Sequence, residues 1–244
     1  MYMPIGLFGI SIATASLPTI SGHAANRDDA GIRRAVSSGL RMMLMLNVPA
    51  TVGLLVLSTP IVRLIFEHGR FTPADTAATA AALVCYAPGL IGYSAVKLVS
   101  PSFYAMGNSR IPLVSSAASV AFNIAANLAL VRALGHRGLA LGTASAALLN
   151  AALLLALLRA RLGGLEGRRV LIATLKISLA SLAMAIAAYY SERALHIPIA
   201  GVDVFAQALR VFTAIAIGMG VLALTAHLLK IEEFTQARLR VLSF

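Results

Sequence analysis

The sequence predicts an all-α fold, a polytopic bundle of transmembrane helices. Of its 244 residues, 59% are hydrophobic and only 12% are charged, and the mean hydropathy is +0.86, which is too apolar for a soluble domain of this size. Continuous apolar runs such as residues 144–158 recur, whereas the period-two alternation of a membrane β-barrel is absent. Because lipid accepts only helices and closed barrels as spanning elements, these runs are predicted to be helices.

Seven apolar runs, each bounded by charged or turn-forming residues, are predicted to cross the membrane. They are residues 4–25, 38–66, 75–105, 112–134, 138–158, 170–190 and 204–229. The second contains Pro49 and Pro60 and the third contains Pro88 and Pro101, so both are expected to be kinked or partly unwound. The chain opens without a basic stretch, and no cleavable signal peptide is expected.

Single polar residues in the first half of the chain suggest local structural roles. Asn47 lies just before Pro49, where its amide is expected to satisfy the backbone carbonyl that proline leaves free. Thr72 or Asp75 is expected to cap the third segment. Cys85, the one cysteine, is expected to be a buried packing thiol.

The third segment carries a lysine among tyrosines. Tyr86, Tyr93, Lys97 and Tyr104 follow one another at intervals of seven, four and seven residues, which places them near one helical face. An ammonium in a membrane segment needs water or a partner. This face therefore predicts a cavity wall that attracts an anionic substrate group. The alternative is a lysine that snorkels or pairs with a helix-end carbonyl.

The fourth segment carries a polar stripe. Its members recur every four residues and are Ser115, Ser119, Asn123 and Asn127. Serine and asparagine commonly hydrogen-bond between membrane helices, so interhelical bonding is the favoured interpretation and substrate contact the alternative. Asn123 and Asn127 are the better candidates for substrate contact.

The fifth segment carries a ridge of small residues, which predicts close helix packing. The ridge consists of Gly138, Gly142, Ala146 and Asn150. A basic, glycine-containing connection, residues 159–169, then separates the first five segments, residues 1–158, from a final pair, residues 170–229. Residues 230–244 are predicted to be a tail.

The basic residues indicate orientation. The chain has a formal net charge of +11, and its lysines and arginines lie mainly in the short connections, about twice as many on one side as on the other. The richer side is expected to be cytoplasmic, which makes the C-terminus cytoplasmic. Basic and aromatic residues do not interleave, so nucleic-acid binding is not expected.

Chemical motifs give no support for catalysis. The sequence has no nucleotide-binding glycine loop, no nucleophile elbow and no HExxH motif. The histidines are scattered, without the spacing of a metal site. We therefore expect no enzyme activity, no cofactor and no metal.

Several stretches together resemble the MurJ (MviN) lipid II flippase family. They are Pro4–Ile10 with Ala13-Thr14-Ala15 and Leu17-Pro18, Pro49 with Gly53-Leu54, Pro60-Ile61-Val62, Phe66–Phe71, Asp75-Thr76 and Lys97–Tyr104. The resemblance implies a MATE-like exporter of two six-helix bundles plus two C-terminal helices. It identifies this chain with the C-terminal half: residues 1–158 as the second bundle with a truncated first helix, and residues 170–229 as the extra pair. In the family, that pair borders a groove assigned to the lipid tail.

The resemblance also suggests substrate contacts. Lys97, Asn123, Asn127 and Arg110 match the family's pattern, and Tyr93 lies on the same face as Lys97. They imply contact with lipid II, an undecaprenyl-pyrophosphate-linked peptidoglycan precursor, moved by alternating access across the bacterial inner membrane. Most of the family's cationic cluster for the pyrophosphate has no counterpart here, so a missing N-terminal half or a partner chain is expected. Membrane lipids are the other expected partners.

Two other interpretations remain open at this point. An exporter of another lipid-linked oligosaccharide, of the O-antigen type, has the same architecture, although the stretch around Lys97 argues against it. A non-transporting, half-size membrane scaffold or a decayed gene product is the other, because half of a two-bundle transporter cannot enclose a central cavity by itself.

Overall fold

The structure, a computed structural model, describes residues 11–195 and 204–235. This part of the chain is almost entirely helical and contains no β-strand, which confirms the all-α prediction. Its helices are α1 (Ser11–Ala25), α2 (Asp29–Phe66), α3 (Pro73–Tyr86), α4 (Gly89–Ala105), α5 (Arg110–Leu134), α6 (His136–Arg161), α7 (Gly167–Leu195) and α8 (Val204–Leu228).

Six stretches of the described residues are long and apolar enough to cross a membrane. They are α2, α3 together with α4, α5, α6, α7 and α8. Six of the seven predicted segments therefore correspond to such stretches. The first predicted segment is described only from Ser11, as α1, and its residues 4–10 lie outside the described part.

The third predicted segment is two helices, because the chain breaks its hydrogen-bonding pattern at Pro88. Proline has no N–H to donate, although Ala87 and Pro88 both keep helical dihedral angles (φ −54°, ψ −42° and φ −59°, ψ −30°). The Thr51 hydroxyl donates to the Ala87 carbonyl at 3.4 Å, which gives that carbonyl a partner. By contrast, α2 continues without interruption through Pro49 and Pro60.

Contacts between residues divide the chain into two compact units. The first contains the residues up to Asn47 and Pro88–Thr174, and the second contains Val48–Ala87 and the residues from Leu175 onward. The domain division at residues 158 and 169, which rests on the family resemblance and the basic connection, stays a prediction.

The core of the first unit is built from α1, α2, α4 and α6. Ile20, Val36, Val99, Phe103 and Leu154 are buried together there. Each comes from the apolar face of its helix, and their burial supplies the hydrophobic stabilisation that holds α4 in place.

Glycines bring α4 and α6 into backbone contact in the same unit. A Cβ atom built on Gly92 would lie 2.6 Å from the carbonyl carbon of Ala147, and one on Gly89 would lie 2.9 Å from the Cα of Ala144. Only glycine permits so close an approach. The position of α4 on α6 is therefore set by its two glycines.

The second unit packs its helices through small residues as well. Leu57 on α2, Ala188 on α7 and Ala214 on α8 are buried together. At the other end of α7, the Lys176 ammonium donates to the Leu229 carbonyl at 2.9 Å, just beyond the end of α8. Cys85, expected to be buried, is half-buried.

The α2–α3 connection carries the predicted cap. Thr72 is the N-cap of α3, its hydroxyl accepts from the Asp75 backbone N–H, and the Asp75 carboxylate accepts from the Thr72 backbone N–H at 2.9 Å. This reciprocal capping box confirms the expectation for Thr72 and Asp75. Nearby, the Thr76 hydroxyl donates to the Glu67 carboxylate at 2.5 Å.

The α1–α2 connection is closed by Asp28. Its carboxylate accepts from the Gly31 backbone N–H at 2.8 Å and lies 3.0 Å from Nδ1 of His23. The Gly31 hydrogen bond, with a smaller effect of His23, holds the pKa of Asp28 below its ordinary value. This charged, hydrogen-bonded carboxylate fixes the first turn of α2.

Candidate functional site

The lysine predicted to line a cavity lies on the exposed side of α4. Lys97 is exposed and Tyr93, one turn earlier, is half-buried. Tyr104 is 56% exposed. Tyr86 belongs to α3, so the predicted four-residue face is interrupted at Pro88 and only its last three members share a helix.

A buried hydrogen bond joins α4 to α2 near Lys97. Ser94 is fully buried, and its hydroxyl donates to Oδ1 of Asn47 at 2.9 Å. The Asn47 amide in turn donates to the Met43 carbonyl at 2.9 Å. Asn47 was expected to bond the carbonyl that Pro49 leaves free, which is that of Met45, four residues before the proline. Its partner is the Met43 carbonyl instead, so this expectation was wrong.

The Asn47–Ser94 pair was missed as a link between helices. Both residues are fully buried, and a buried amide with a hydroxyl partner ties α2 to α4 more specifically than apolar contact does. The available signal in the sequence was a serine, Ser94, within an apolar run.

The polar stripe of α5 faces the small-residue ridge of α6. Ser115 and Ser119 are buried, and the Ser119 hydroxyl donates to the Ala146 carbonyl at 2.6 Å. A Cβ on Gly142 would collide with the side chain of Asn127, so these helices are in close contact there. Ser119 therefore bonds the two helices together, as favoured, and the ridge packs as predicted.

The two asparagines are brought together farther along the stripe. The Asn127 amide donates to Oδ1 of Asn123 at 3.1 Å, and both side chains are half-buried. Oδ1 of Asn127 is buried and has no hydrogen-bond partner among the described residues. The pair thus presents an acceptor that the described part of the protein does not satisfy.

Arg110 lies on the same helix as this pair, at its start. It is the first residue of α5 and is exposed. The preceding Asn108 accepts a hydrogen bond from the Ile111 backbone N–H at 3.2 Å and so starts the helix. Within the described residues, neither Arg110 nor Lys97 hydrogen-bonds either asparagine.

The structure therefore supplies one assembled element, the Asn123–Asn127 pair, and one exposed cation with an adjacent tyrosine, Lys97 with Tyr93. An exposed ammonium attracts phosphate groups without covalent chemistry. No group of three or more histidine, cysteine, aspartate or glutamate side chains that could hold a metal ion occurs in residues 11–195 and 204–235.

Three arginines that the sequence only indicated as orientation signals line one cavity of the first unit. They are Arg33, Arg34 and Arg159. Arg33 and Arg34 lie on α2 and Arg159 lies on α6, so their meeting depends on tertiary packing. The doublet Arg33-Arg34 and the Gly163-Gly164 turn after Arg159 were the signals in the sequence.

Known proteins similar to this chain agree with one another. The sequence profile of the lipid II flippase MurJ family matches residues 1–222. A Bdellovibrio bacteriovorus protein named "Probable lipid II flippase MurJ" is 30% identical over 236 residues, which is 97% of this chain and 44% of that relative. A Thermosipho africanus protein named "Lipid II flippase MurJ" is 33% identical over 153 residues, 63% of this chain and 31% of that relative.

A solved structure has the same fold. It is titled "Lipid II flippase MurJ, inward closed conformation", and it superposes with a TM-score of 0.70 at 26% sequence identity. The alignment covers 92% of this chain and 44% of that one. The chain thus spans less than half the length of the relatives and the structure that it matches.

Proposed function

Because the chain belongs to the MurJ lipid II flippase family, we propose that it forms part of a transporter that moves lipid II across the bacterial inner membrane by alternating access. The observation that carries this proposal is the family match over residues 1–222. Family membership and the six apolar stretches indicate a multi-pass inner-membrane protein. The relatives are more than twice as long, and we propose that transport needs the helices of their remaining length, in the same polypeptide or in a partner chain.

The proposed activity makes and breaks no covalent bond, which distinguishes it from an enzyme's. A pyrophosphate headgroup with sugars and a peptide enters the bilayer core only if charged and polar groups replace its water. The polyprenyl tail, being apolar, can remain in lipid throughout. The protein therefore has to supply a hydrated, cationic surface that opens to one side of the membrane and then to the other.

We assign the headgroup contacts to five residues of the first unit. Lys97 attracts the pyrophosphate, and Tyr93, one turn away, lines the same side of α4. Asn123 and Asn127, which are hydrogen-bonded to each other, brace the cavity wall. Arg110 supplies a second cation at the start of α5.

The orientation follows from the distribution of basic residues. Lysines and arginines are about twice as numerous on one side of the predicted segments, and positive connections are retained in the cytoplasm. We therefore propose a cytoplasmic C-terminus. Fusing a reporter that is active only in the cytoplasm to Phe244 tests this. An inactive fusion at a normal protein level, together with activity from a reporter that works only in the periplasm fused at the same residue, would overturn it.

The test of the function uses a full-length relative in which this chain replaces the matching segment. In cells depleted of their own flippase, we expect the chimaera to restore lipid II in the outer leaflet, measured with a membrane-impermeant probe of the headgroup. Failure to do so at a normal protein level would overturn the proposed function. Restored exposure of a different lipid-linked oligosaccharide, with lipid II unchanged, would replace it with the O-antigen-type alternative.

The same chimaera tests the assignment of Lys97. Lys97→Ala is expected to lower lipid II translocation at least tenfold, because the fixed positive charge is lost, and Lys97→Arg is expected to retain part of it. Lys230→Ala, which removes an exposed lysine just after α8, is the matched control and is expected to transport normally. Normal transport by Lys97→Ala at a normal membrane level would remove Lys97 from the site.

A further inference from the structure

The second feature that points to a ligand is the arginine pocket, a cavity of about 330 Å³ where α2, the end of α6 and the start of α7 meet. It is lined by Arg33, Arg34 and Arg159, together with Gly163, Gly164 and Gly167. All of these residues belong to the first unit. The pocket is separate from the residues assigned above to the transported headgroup.

One guanidinium in the pocket is held in place but is not fully bonded. An Nη atom of Arg33 donates to the Leu162 carbonyl at 2.6 Å, just after the end of α6. Its Nε is buried and has no hydrogen-bond partner among the described residues. A buried N–H of a charged group without an acceptor is unfavourable, so the described groups of the protein do not fully satisfy the Arg33 guanidinium.

The electrostatics of the pocket favour an anion. Glu166 is the one carboxylate in its wall, and it is already shared between Arg41 at 3.6 Å and Arg169 at 3.4 Å. Arg34 also interacts with the carboxylate of Asp28, outside the wall. Arg33 and Arg159 face no carboxylate in the wall other than Glu166. Arginine's planar fork matches the oxygens of a phosphate group, and the N-terminus of the 29-residue helix α7 at Gly167 adds positive potential.

An apolar groove of about 730 Å³ continues from the same wall. It shares Arg159, the Gly163-Gly164 turn and Gly167 with the arginine pocket. Its other walls are mainly aliphatic and come from Leu40, Leu155, Ala156, Val170 and Leu171. A ligand that fits both cavities carries a phosphate at one end and a hydrocarbon chain at the other.

We propose that this corner binds an anionic glycerophospholipid, with its phosphodiester on Arg33, Arg34 and Arg159 and one acyl chain in the apolar groove. Basic pockets beside membrane helices are suited to such headgroups, since charge and chain are recognised together. The lipid would join α2, α6 and α7 at their common end. This proposal concerns a resident membrane lipid rather than the transported substrate, and it does not depend on the proposed function.

The binding experiment uses the full chain, purified and delipidated in neutral detergent, with retained lipid counted by native mass spectrometry. We expect dioleoyl-phosphatidylglycerol to bind more tightly than dioleoyl-phosphatidylcholine. Arg159→Gln is expected to weaken phosphatidylglycerol binding about fivefold, and the double variant Arg33→Gln with Arg159→Gln more than tenfold. Arg161→Gln, on the same helix, exposed and outside both cavities, is the matched control and should bind normally.

Two further measurements separate the headgroup from the chain. Inorganic phosphate and sn-glycerol 3-phosphate carry the charge without the hydrocarbon, so we expect both to bind much more weakly than phosphatidylglycerol. Ala156→Phe, which fills the groove, is expected to weaken phosphatidylglycerol while leaving sn-glycerol 3-phosphate unchanged. Helix content by circular dichroism and elution volume check that every variant folds, and Arg159→Gln carries the test if Arg33→Gln does not fold, because it leaves the Arg33–Leu162 bond in place.

Three results would overturn the proposal. Equal binding of phosphatidylglycerol and phosphatidylcholine would show that the charge is not recognised. Equal loss in Arg161→Gln and Arg159→Gln would show a diffuse basic surface instead of a pocket. Inorganic phosphate that binds as tightly as the lipid would make this a free phosphate site.

Discussion

The close packing of α4 on α6 makes Gly92→Ala a strong test of the described fold. A methyl group at this position would lie 2.6 Å from the Ala147 carbonyl carbon and 2.7 Å from the Leu148 nitrogen. These are backbone atoms, which cannot rotate away as a side chain can. The substitution therefore has to push the two helices apart.

The magnitude follows from that distance. Ordinary contact begins at about 3.4 Å, so the shortest contact has to open by roughly 0.8 Å, and overpacking of this kind costs about 1–3 kcal/mol. Alanine is the better helix former by ~1 kcal/mol. In Gly220→Ala, on α8, no atom lies within 4 Å of the added methyl group. This variant should therefore show the gain in helix propensity without the cost of overpacking. The two variants should therefore differ by about 2 kcal/mol in their free energies of unfolding.

The assay is denaturant unfolding of the purified chain in detergent micelles, followed by circular dichroism at 222 nm. We expect Gly92→Ala to unfold at a lower denaturant concentration than the parent and Gly220→Ala at an equal or higher one. If Gly92→Ala is as stable as Gly220→Ala, the α4–α6 backbone contact does not exist in the protein and the placement of Lys97 loses its support.

Other substitutions test single hydrogen bonds. Ser119→Ala removes the bond to the α6 carbonyl and should destabilise the chain by about 0.6 kcal/mol in the same assay; an unchanged midpoint would count against interhelical bonding by the stripe. Thr72→Ala removes the cap of α3 at a cost of ~1 kcal/mol, whereas Thr72→Ser should retain most of it, and equal stability of the two would contradict the capping box. The depressed pKa of Asp28, due chiefly to the Gly31 N–H, stabilises the folded chain above the unfolded-state pKa, and that contribution is lost as the pH falls through the lower folded-state pKa. The stability difference between the parent and Asp28→Asn should therefore shrink on acidification through that window, and a difference that grows would refute this assignment.

The fold was predictable where composition and proline decide it. Apolar runs longer than the hydrocarbon core predict helices whatever their neighbours, and Pro88 marked the break between α3 and α4 because proline removes a backbone donor. The same argument did not predict that α2 stays continuous through Pro49 and Pro60, whereas the helix ends near Pro88. Whether a helix bends or breaks at proline depends on the packing around it, and a local sequence pattern carries no information about that packing.

The candidate site was predictable only in its local parts. The four-residue spacing of Asn123 and Asn127 predicted one face, and they hydrogen-bond each other. Asn47, however, bonds Ser94 on another helix, a partner that depends on how α2 meets α4. The same limit applies to the pocket of Arg33 and Arg159, two residues far apart in the chain, because their distance is set by the packing of α2 against α6.

The pairing of stripe and ridge also bears on how the protein enters the membrane. Alone in a bilayer, the polar stripe of α5 would expose its two serines and two asparagines to lipid, where unsatisfied polar groups are costly. The Gly135 turn returns the chain so that α6 covers this stripe with residues too small to keep the helices apart. Inserting α5 and α6 together as a helical hairpin hides those groups before they meet lipid, and it is the lower-energy route for the nascent chain.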